Sequence, residues 1–199
     1  MHVYAVADHS RTVTGRYLGI GAVALTSGAS AILPMLSEAT GWDVVAGVTI
    51  TSGIVFAGVH WIFNRWGWKL PWVTGFPNVE GLWTVKGKTL DESGGVRFEW
   101  EGTLDIKQEY EKISVSLKTK QSASESDSVS ITKKPGNQGG WILSYGYQNH
   151  PKPGEYHELN SHRGFCEILF NEKLTAGTAN YFNNNGRRTH GVLELERQK

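Results

Sequence analysis

At 199 residues and a formal net charge of +1, the chain has room for one or two domains and exerts no global electrostatic pull on a DNA or RNA polymer. Its single cysteine, Cys166, excludes an intrachain disulfide and fits a reducing compartment. Of its eight tryptophans, Trp42, Trp61, Trp66, Trp68 and Trp72 fall close together, a cluster that helps to place a membrane interface.

The first predicted elements are two transmembrane helices. YLGIGAVALTSGASAILPML (17–36) and VVAGVTITSGIVFAGVHWIF (44–63) carry no charged residue, and His60 is read as neutral. About 20 residues at ~1.5 Å each cross ~30 Å of hydrocarbon, so the pair reads as a helical hairpin turning at SEATGWD. Arg11 and Arg16 precede it, Arg65 and Lys69 follow it, and the turn has no Lys or Arg. The positive-inside rule then puts both termini in the cytoplasm, with Trp61, Trp66, Trp68 and Trp72 as an aromatic belt on that side. A signal peptide ending at Ala29-Ser30-Ala31 is the rival reading, but the polar leader is long and apolar residues continue past the site. Buried helices of a soluble domain fit less well, because two uncharged runs stand back to back. Small residues recur four apart at Gly15 and Gly19, at Ala24 and Gly28, and at Thr49, Gly53 and Ala57. They serve either packing within the hairpin or self-association.

Residues 64–80 hold two prolines and two glycines and read as a juxtamembrane linker, so the predicted division is 1–63, 64–80 and 81–199. From Gly81 the apolar period becomes two. Eight strands are predicted at about 81–89, 96–109, 112–120, 122–133, 140–149, 162–170, 173–182 and 187–197, separated by the turns DESGG, QEYEK, KKPGNQGG, NEK and NNNG and by a Pro-containing loop. Short sequential connections favour an antiparallel up-and-down barrel over a β-sandwich. The predicted fold class is thus a membrane hairpin followed by an all-β barrel, with room inside for side chains or one small ligand.

Parity assigns the faces. Phe98, Trp100, Leu104, Ile106 and Gln108 point inward, as do Ile113, Val115 and Leu117. Tyr145, Tyr147 and Asn149 share a face, and so do His162, Cys166 and Ile168. Leu193 and Leu195 point inward, which brings Thr189 and Arg187 inward too. An inward arginine wants an anion, unless it is solvated at the rim. In SASESDSVSIT the serines alternate against Val129 and Ile131, so one face is a hydroxyl ladder. Either it is solvated, or a bulge near 126–128 turns Ser124 and Ser126 inward along with Val129 and Ile131. Tyr181 and Asn180 compete for the interior. Hydroxyls, aromatic rings and an arginine suit a nucleotide, where a fatty-acid carrier wants a more uniformly apolar lining.

The stretches GLW (81–83), IKQEYEKISVSLKT (106–119), SASES (122–126), LSYGYQN (143–149), HRG (162–164) and YFNNNGRRTHGVLEL (181–195), behind two membrane helices, resemble the two-transmembrane β-barrel effectors of bacterial cyclic-oligonucleotide anti-phage signalling (CBASS). The resemblance implies that the barrel binds a cyclic dinucleotide made by a cognate cyclase. Binding would promote homo-oligomerisation, disruption of the inner membrane by the helices, and cell death. It points to Tyr145, Tyr147, His162 and Arg187 as ligand contacts, with Gln108, Ser124, Ser126, Tyr181 and Thr189 behind them. Tyr110 stands where the family pattern suggests tryptophan. Gly81 and Trp83 are similar to the opening of lipocalin-like barrels, where the tryptophan plugs one end under a terminal arginine, here Arg197.

His150, His157 and His162 with Glu155 and Glu158 lack the helical spacing of a metal motif, and no nucleophile elbow or phosphate loop is present. No catalytic residue, cofactor or metal is therefore expected. The rival functions are a membrane-tethered carrier of an apolar molecule and a structural subunit with a filled barrel.

Overall fold

A computed structural model describes residues 1–7, 9–40, 51–136, 139–152, 161–184 and 188–198. They form two units, one of Met1–Asp8 with Gly75–Lys199, the other of His9–Thr74. In the first unit the strands are β1 (His2–Val3), β2 (Ala5–Val6), β3 (Gly81–Leu90), β4 (Val96–Gln108), β5 (Lys112–Thr119), β6 (Ser122–Lys133), β7 (Trp141–Pro151), β8 (His162–Phe170), β9 (Ala176–Asn184) and β10 (His190–Arg197). Strands β3 to β10 pair antiparallel in chain order and β10 returns to β3, so the predicted eight-stranded barrel closes. Two short strands that the alternation did not announce are added to it.

These extra strands sit at the thinnest seam. β5 and β6 share only the pairs Ser116 with Glu125, Leu117 with Ser124 and Lys118 with Ala123, and then part. Residues 2–6 enter the gap: β1 pairs antiparallel with β5 at Ile113 and Lys112, and β2 pairs parallel with β6 at Ser130 and Ile131. Tyr4, 2% exposed, anchors the insertion. Its hydroxyl donates to the Glu109 carbonyl at 3.1 Å and accepts from Gln108 Nε2 at 3.0 Å. Its ring meets Phe76 edge-on at 6.1 Å, and Phe76 in turn meets Tyr110 at 5.7 Å.

The barrel end nearest the start of β3 is filled. Trp83 is fully buried, with its ring 4.8 Å from that of Phe170 and its Nε1 donating to the Val79 carbonyl at 3.2 Å. The Arg197 guanidinium lies 5.5 Å over the indole and donates to the carbonyls of Glu80 and Leu174, so the predicted plug and its arginine are both in place. A cation over an indole face is held by the ring quadrupole as well as by these carbonyls. Gly81 makes the approach feasible: at φ 136° it has a backbone that side chains disfavour, and a Cβ there would stand 3.4 Å from Arg197 Nε.

In the second unit α1 runs over Arg11–Thr40, longer at both ends than the apolar run 17–36, with the Ser10 hydroxyl accepting from Val13 N–H at 3.4 Å at its start. Among the described residues it is the one helix long and apolar enough to cross a bilayer, over Arg11–Met35. The second predicted span falls partly outside the described residues. What is described is α2 (Ser52–Arg65), begun by a Thr51 cap, and its 14 residues reach only about 21 Å. α1 and α2 touch, yet a Cβ at Gly15, Gly19 or Gly28 would meet nothing within 4 Å. Among the described residues, packing within the hairpin does not account for these three glycines. Trp61 and Trp66 are exposed and meet edge to face at 5.2 Å, whereas Trp68 is buried and so departs from the predicted belt.

Candidate functional site

β3 leads from Trp83 at the plug toward Thr89 near its far end, and β10 returns from His190 to Arg197, so the interior has a second end opposite the plug. That end is hollow, with a cavity volume of about 710 Å³, within the ~300–1,000 Å³ typical of small-molecule sites.

Three aromatic rings are laid along its wall rather than across it. Each stands opposite a glycine on the neighbouring strand: Trp100 opposite Gly87, Tyr147 opposite Gly164, and Tyr181 opposite Gly191. A Cβ would come within 2.2 Å of the Trp100 ring at Gly87, 2.5 Å of the Tyr147 ring at Gly164, and 2.7 Å of the Tyr181 ring at Gly191. Each ring therefore occupies the space over its glycine and leaves the middle of the barrel open.

The hydroxyls are tied into the wall. Tyr147 Oη donates to Asn183 Oδ1 at 2.5 Å, and Asn183 Nδ2 donates to Thr189 Oγ1 at 2.8 Å. Tyr181 Oη and Thr89 Oγ1 share a hydrogen bond of 2.7 Å. Tyr145 and Cys166 are register partners on β7 and β8, and burial pushes the thiol up to about 12 and the Tyr145 phenol well above its usual range. Burial raises Tyr147 as well. All three stay neutral at physiological pH, so they bring hydrogen bonds and apolar surface but no charge.

Next along the wall is a polar row. Ser124, Asn149 and His162 are register partners on β6, β7 and β8, exposed by 5, 7 and 7%, and all line the cavity. Among the described residues the side chains of Ser124 and Asn149 form no hydrogen bond to protein atoms. At the mouth, the β5–β6 turn presents Lys120 and Gln121, and Lys152 Nζ donates to the carbonyls of Thr119 and Lys120 at 2.7 and 2.9 Å. Glu99 and Glu101 are exposed and stand at the margin, with Glu99 3.8 Å from Lys88.

Of the sequence-predicted site residues, Tyr145, Tyr147, His162, Ser124, Tyr181 and Thr189 line this one cavity. Tyr181 is the inward member of its pair, and Asn180 is exposed. Gln108 does not line it. It ends β4 at the opposite end, where its amide is fully used: Nε2 donates to Tyr4 Oη and the Pro77 carbonyl, and Oε1 accepts from Val79 N–H at 2.9 Å. Ser126 does not line it either. Its hydroxyl bridges the seam, accepting from Val115 N–H at 2.9 Å and meeting His2 Nε2 at 2.9 Å. The expected bulge lies between Ser126 and Ser128, and it buries Val129 and Ile131. Arg187, His157, Glu155 and Glu158 lie outside the described residues.

The reading of candidates missed Trp100, Asn149 and Asn183. The first two had been placed on the inner face by parity without being given a role. Asn183 was lost because β9 was ended at 182, whereas it runs to Asn184; extending the parity of Tyr181 by two residues finds it.

Residues 74–197 match the family model described as Cap15, cyclic dinucleotide receptor domain, and residues 13–69 match Cap15, TM helices. The chain is 39% identical over 151 residues to CD-NTase-associated protein 15 of Yersinia aleksiciae, covering 74% of this chain and 70% of that protein. With a barrel hollow at one end, an N-terminal helix long enough to span a bilayer and both matches in register with these units, the chain belongs to the Cap15 family of membrane proteins with a cyclic dinucleotide receptor domain, as its motifs suggested.

Proposed function

We propose that the chain is a CBASS effector whose barrel captures a cyclic dinucleotide from a cognate cyclase in the cavity opposite Trp83. Capture drives oligomerisation of the membrane helices, and the oligomer disrupts the inner membrane and kills the cell. The observation that carries this reading is the cavity itself: about 710 Å³, walled by aromatic rings held flat over glycines, with polar side chains facing inward. Stacking surface combined with neutral donors and acceptors suits nucleobases, and the lysines at the mouth suit phosphates. Tyr145, Tyr147, His162, Ser124, Tyr181 and Thr189 are the proposed contacts, with Arg187 carried over from the sequence.

The fold also supports a two-crossing anchor. Residues 1–8 and 75–199 belong to one folded unit. A folded body stays on one side of a bilayer, so the segment between them crosses an even number of times. Arg11, Arg16, Arg65 and Lys69 support the cytoplasm as that side. The small-residue faces of α1 and α2, unoccupied at Gly15, Gly19 and Gly28, suit helix association between copies.

The test is thermal unfolding of the detergent-solubilised full chain against a panel of cyclic di- and trinucleotides. A ligand at ~100 times its Kd stabilises by ~2.7 kcal/mol, a shift of several degrees. No shift with any member, together with binding of a fluorescent fatty acid, would replace this reading with an apolar carrier.

A further inference from the structure

The polar row is where the cavity holds hydrogen-bonding capacity in reserve. Buried polar groups are ordinarily paired, and elsewhere on this wall they are: Tyr147 with Asn183, Asn183 with Thr189, and Tyr181 with Thr89. Ser124 and Asn149 are as deeply buried, at 5 and 7% exposure, yet among the described residues neither is paired with protein. Their polar atoms are satisfied only by what enters the cavity.

The chemistry of the carboxamide narrows what that is. Asn149 offers two N–H donors and a carbonyl acceptor in one plane. A phosphate presents acceptors alone, so it would leave the carbonyl facing an anion. A nucleobase edge presents a donor beside an acceptor and satisfies both functions, which is how Asn and Gln read adenine. Position agrees. Tyr147 is two residues before Asn149 on the same face of β7, about 7 Å along the strand. A base stacked on the Tyr147 ring lies parallel to the wall, with its edge directed along the wall toward Asn149 and its register partner Ser124. The lysines Lys120 and Lys152, by contrast, belong to the mouth.

We propose that Asn149, seconded by Ser124, reads the edge of a nucleobase stacked on Tyr147, from the mouthward side of that ring, and so selects which cyclic dinucleotide the barrel accepts, the phosphates lying beyond this row toward Lys120. This rests on the receptor reading above. A site built around a carboxamide rejects a mismatched edge because its own buried donors or acceptor are then left unpaired.

The experiment titrates the full chain in detergent with cyclic di-AMP, cyclic di-GMP and cyclic di-UMP, comparing the parent with Asn149→Asp, Asn149→Ala and Ser124→Ala. A carboxylate only accepts, so Asn149→Asp moves the affinity ratio toward cyclic di-GMP, with its adjacent N1–H and N2–H donors, by tenfold or more. Asn149→Ala weakens the best parent ligand by a similar factor and narrows the spread across the panel. Ser124→Ala does the same to a smaller extent. Asn149→Ser carries the test should a buried carboxylate unfold the barrel, which the ligand-free melting curve reports. A ranking unchanged in the Asn149 variants, whether affinities hold or fall uniformly, overturns base reading while leaving the receptor intact. Failure of the parent to bind any of these three or any member of the wider cyclic di- and trinucleotide panel overturns the receptor reading itself.

Discussion

A methyl group at Gly164 would lie 2.5 Å from both the Tyr147 ring and Asn183 Oδ1, so Gly164→Ala has to move the ring off the wall or part the Tyr147–Asn183 bond. Overpacking of this kind costs ~1–3 kcal/mol. The expected result is a barrel that still melts cooperatively, at lower temperature, and binds its nucleotide at least tenfold more weakly because the ring now projects into the cavity; unchanged affinity would show that the flat ring is irrelevant to binding. The second residue-scale prediction concerns alkali. Cys166 is raised from an ordinary 9.0 to about 12, and Tyr145 and Tyr147 are raised from 10.0, chiefly by burial. Above pH 9 the unfolded chain gives up protons that the folded barrel keeps. The folded state then binds more protons, and stability falls as pH climbs from 9 toward 12. Urea midpoints should be level from pH 7 to 8.5 and fall beyond it, less steeply in Cys166→Ala. The thiol should resist a disulfide reagent at neutral pH until the barrel unfolds, since the thiolate is the reactive form.

At the scale of elements, the seam between β5 and β6 is the weak line of the barrel, and residues 2–6 repair it. Tyr4→Ala removes a buried ring and two hydrogen bonds, and the expected loss is ~3–5 kcal/mol in urea denaturation. Hydrogen exchange should then quicken first along β5 and β6, and a loss spread evenly over all strands would contradict the seam. The eight barrel strands were legible because alternation over eight or more residues is a strong signal, and the Trp83 plug because Gly81 and Trp83 resemble the opening of lipocalin-like barrels. The N-terminal strands were not, because a pair of two-residue strands carries no period, and HVYAV reads equally well as a polar leader. Gln108 was misplaced for a related reason. Parity tells which face a side chain takes but not its height in the barrel, and at its height the partners are Tyr4, Pro77 and Val79. The free donors of Asn149 were invisible for the complementary reason that a missing partner leaves no mark in a sequence.

For the whole molecule, the return of residues 1–8 to the barrel constrains topology more firmly than hydropathy does. In a Cys166→Ser background, single cysteines at exposed Val3 and exposed Ser93 should both escape a membrane-impermeant maleimide in spheroplasts and both react after lysis. Labelling of either one in intact spheroplasts would break the even-crossing argument. The same arrangement lets one body report to two chain segments. Tyr4 and Phe76 are packed on each other at the points where the chain leaves the barrel unit for the membrane unit and comes back.

The inserted strand also sets an order of events in time. His2 pairs with Ile113, and Val6 with Ile131, so residues 2–6 leave the ribosome more than a hundred residues before their partners. At bacterial synthesis rates that is a wait on the order of ten seconds. During it residues 9–74 are made, while the strand that will close the seam waits as an unpaired tail. The barrel thus cannot be completed until the whole of the second unit has been synthesised, so its closure is the last event in the making of the chain.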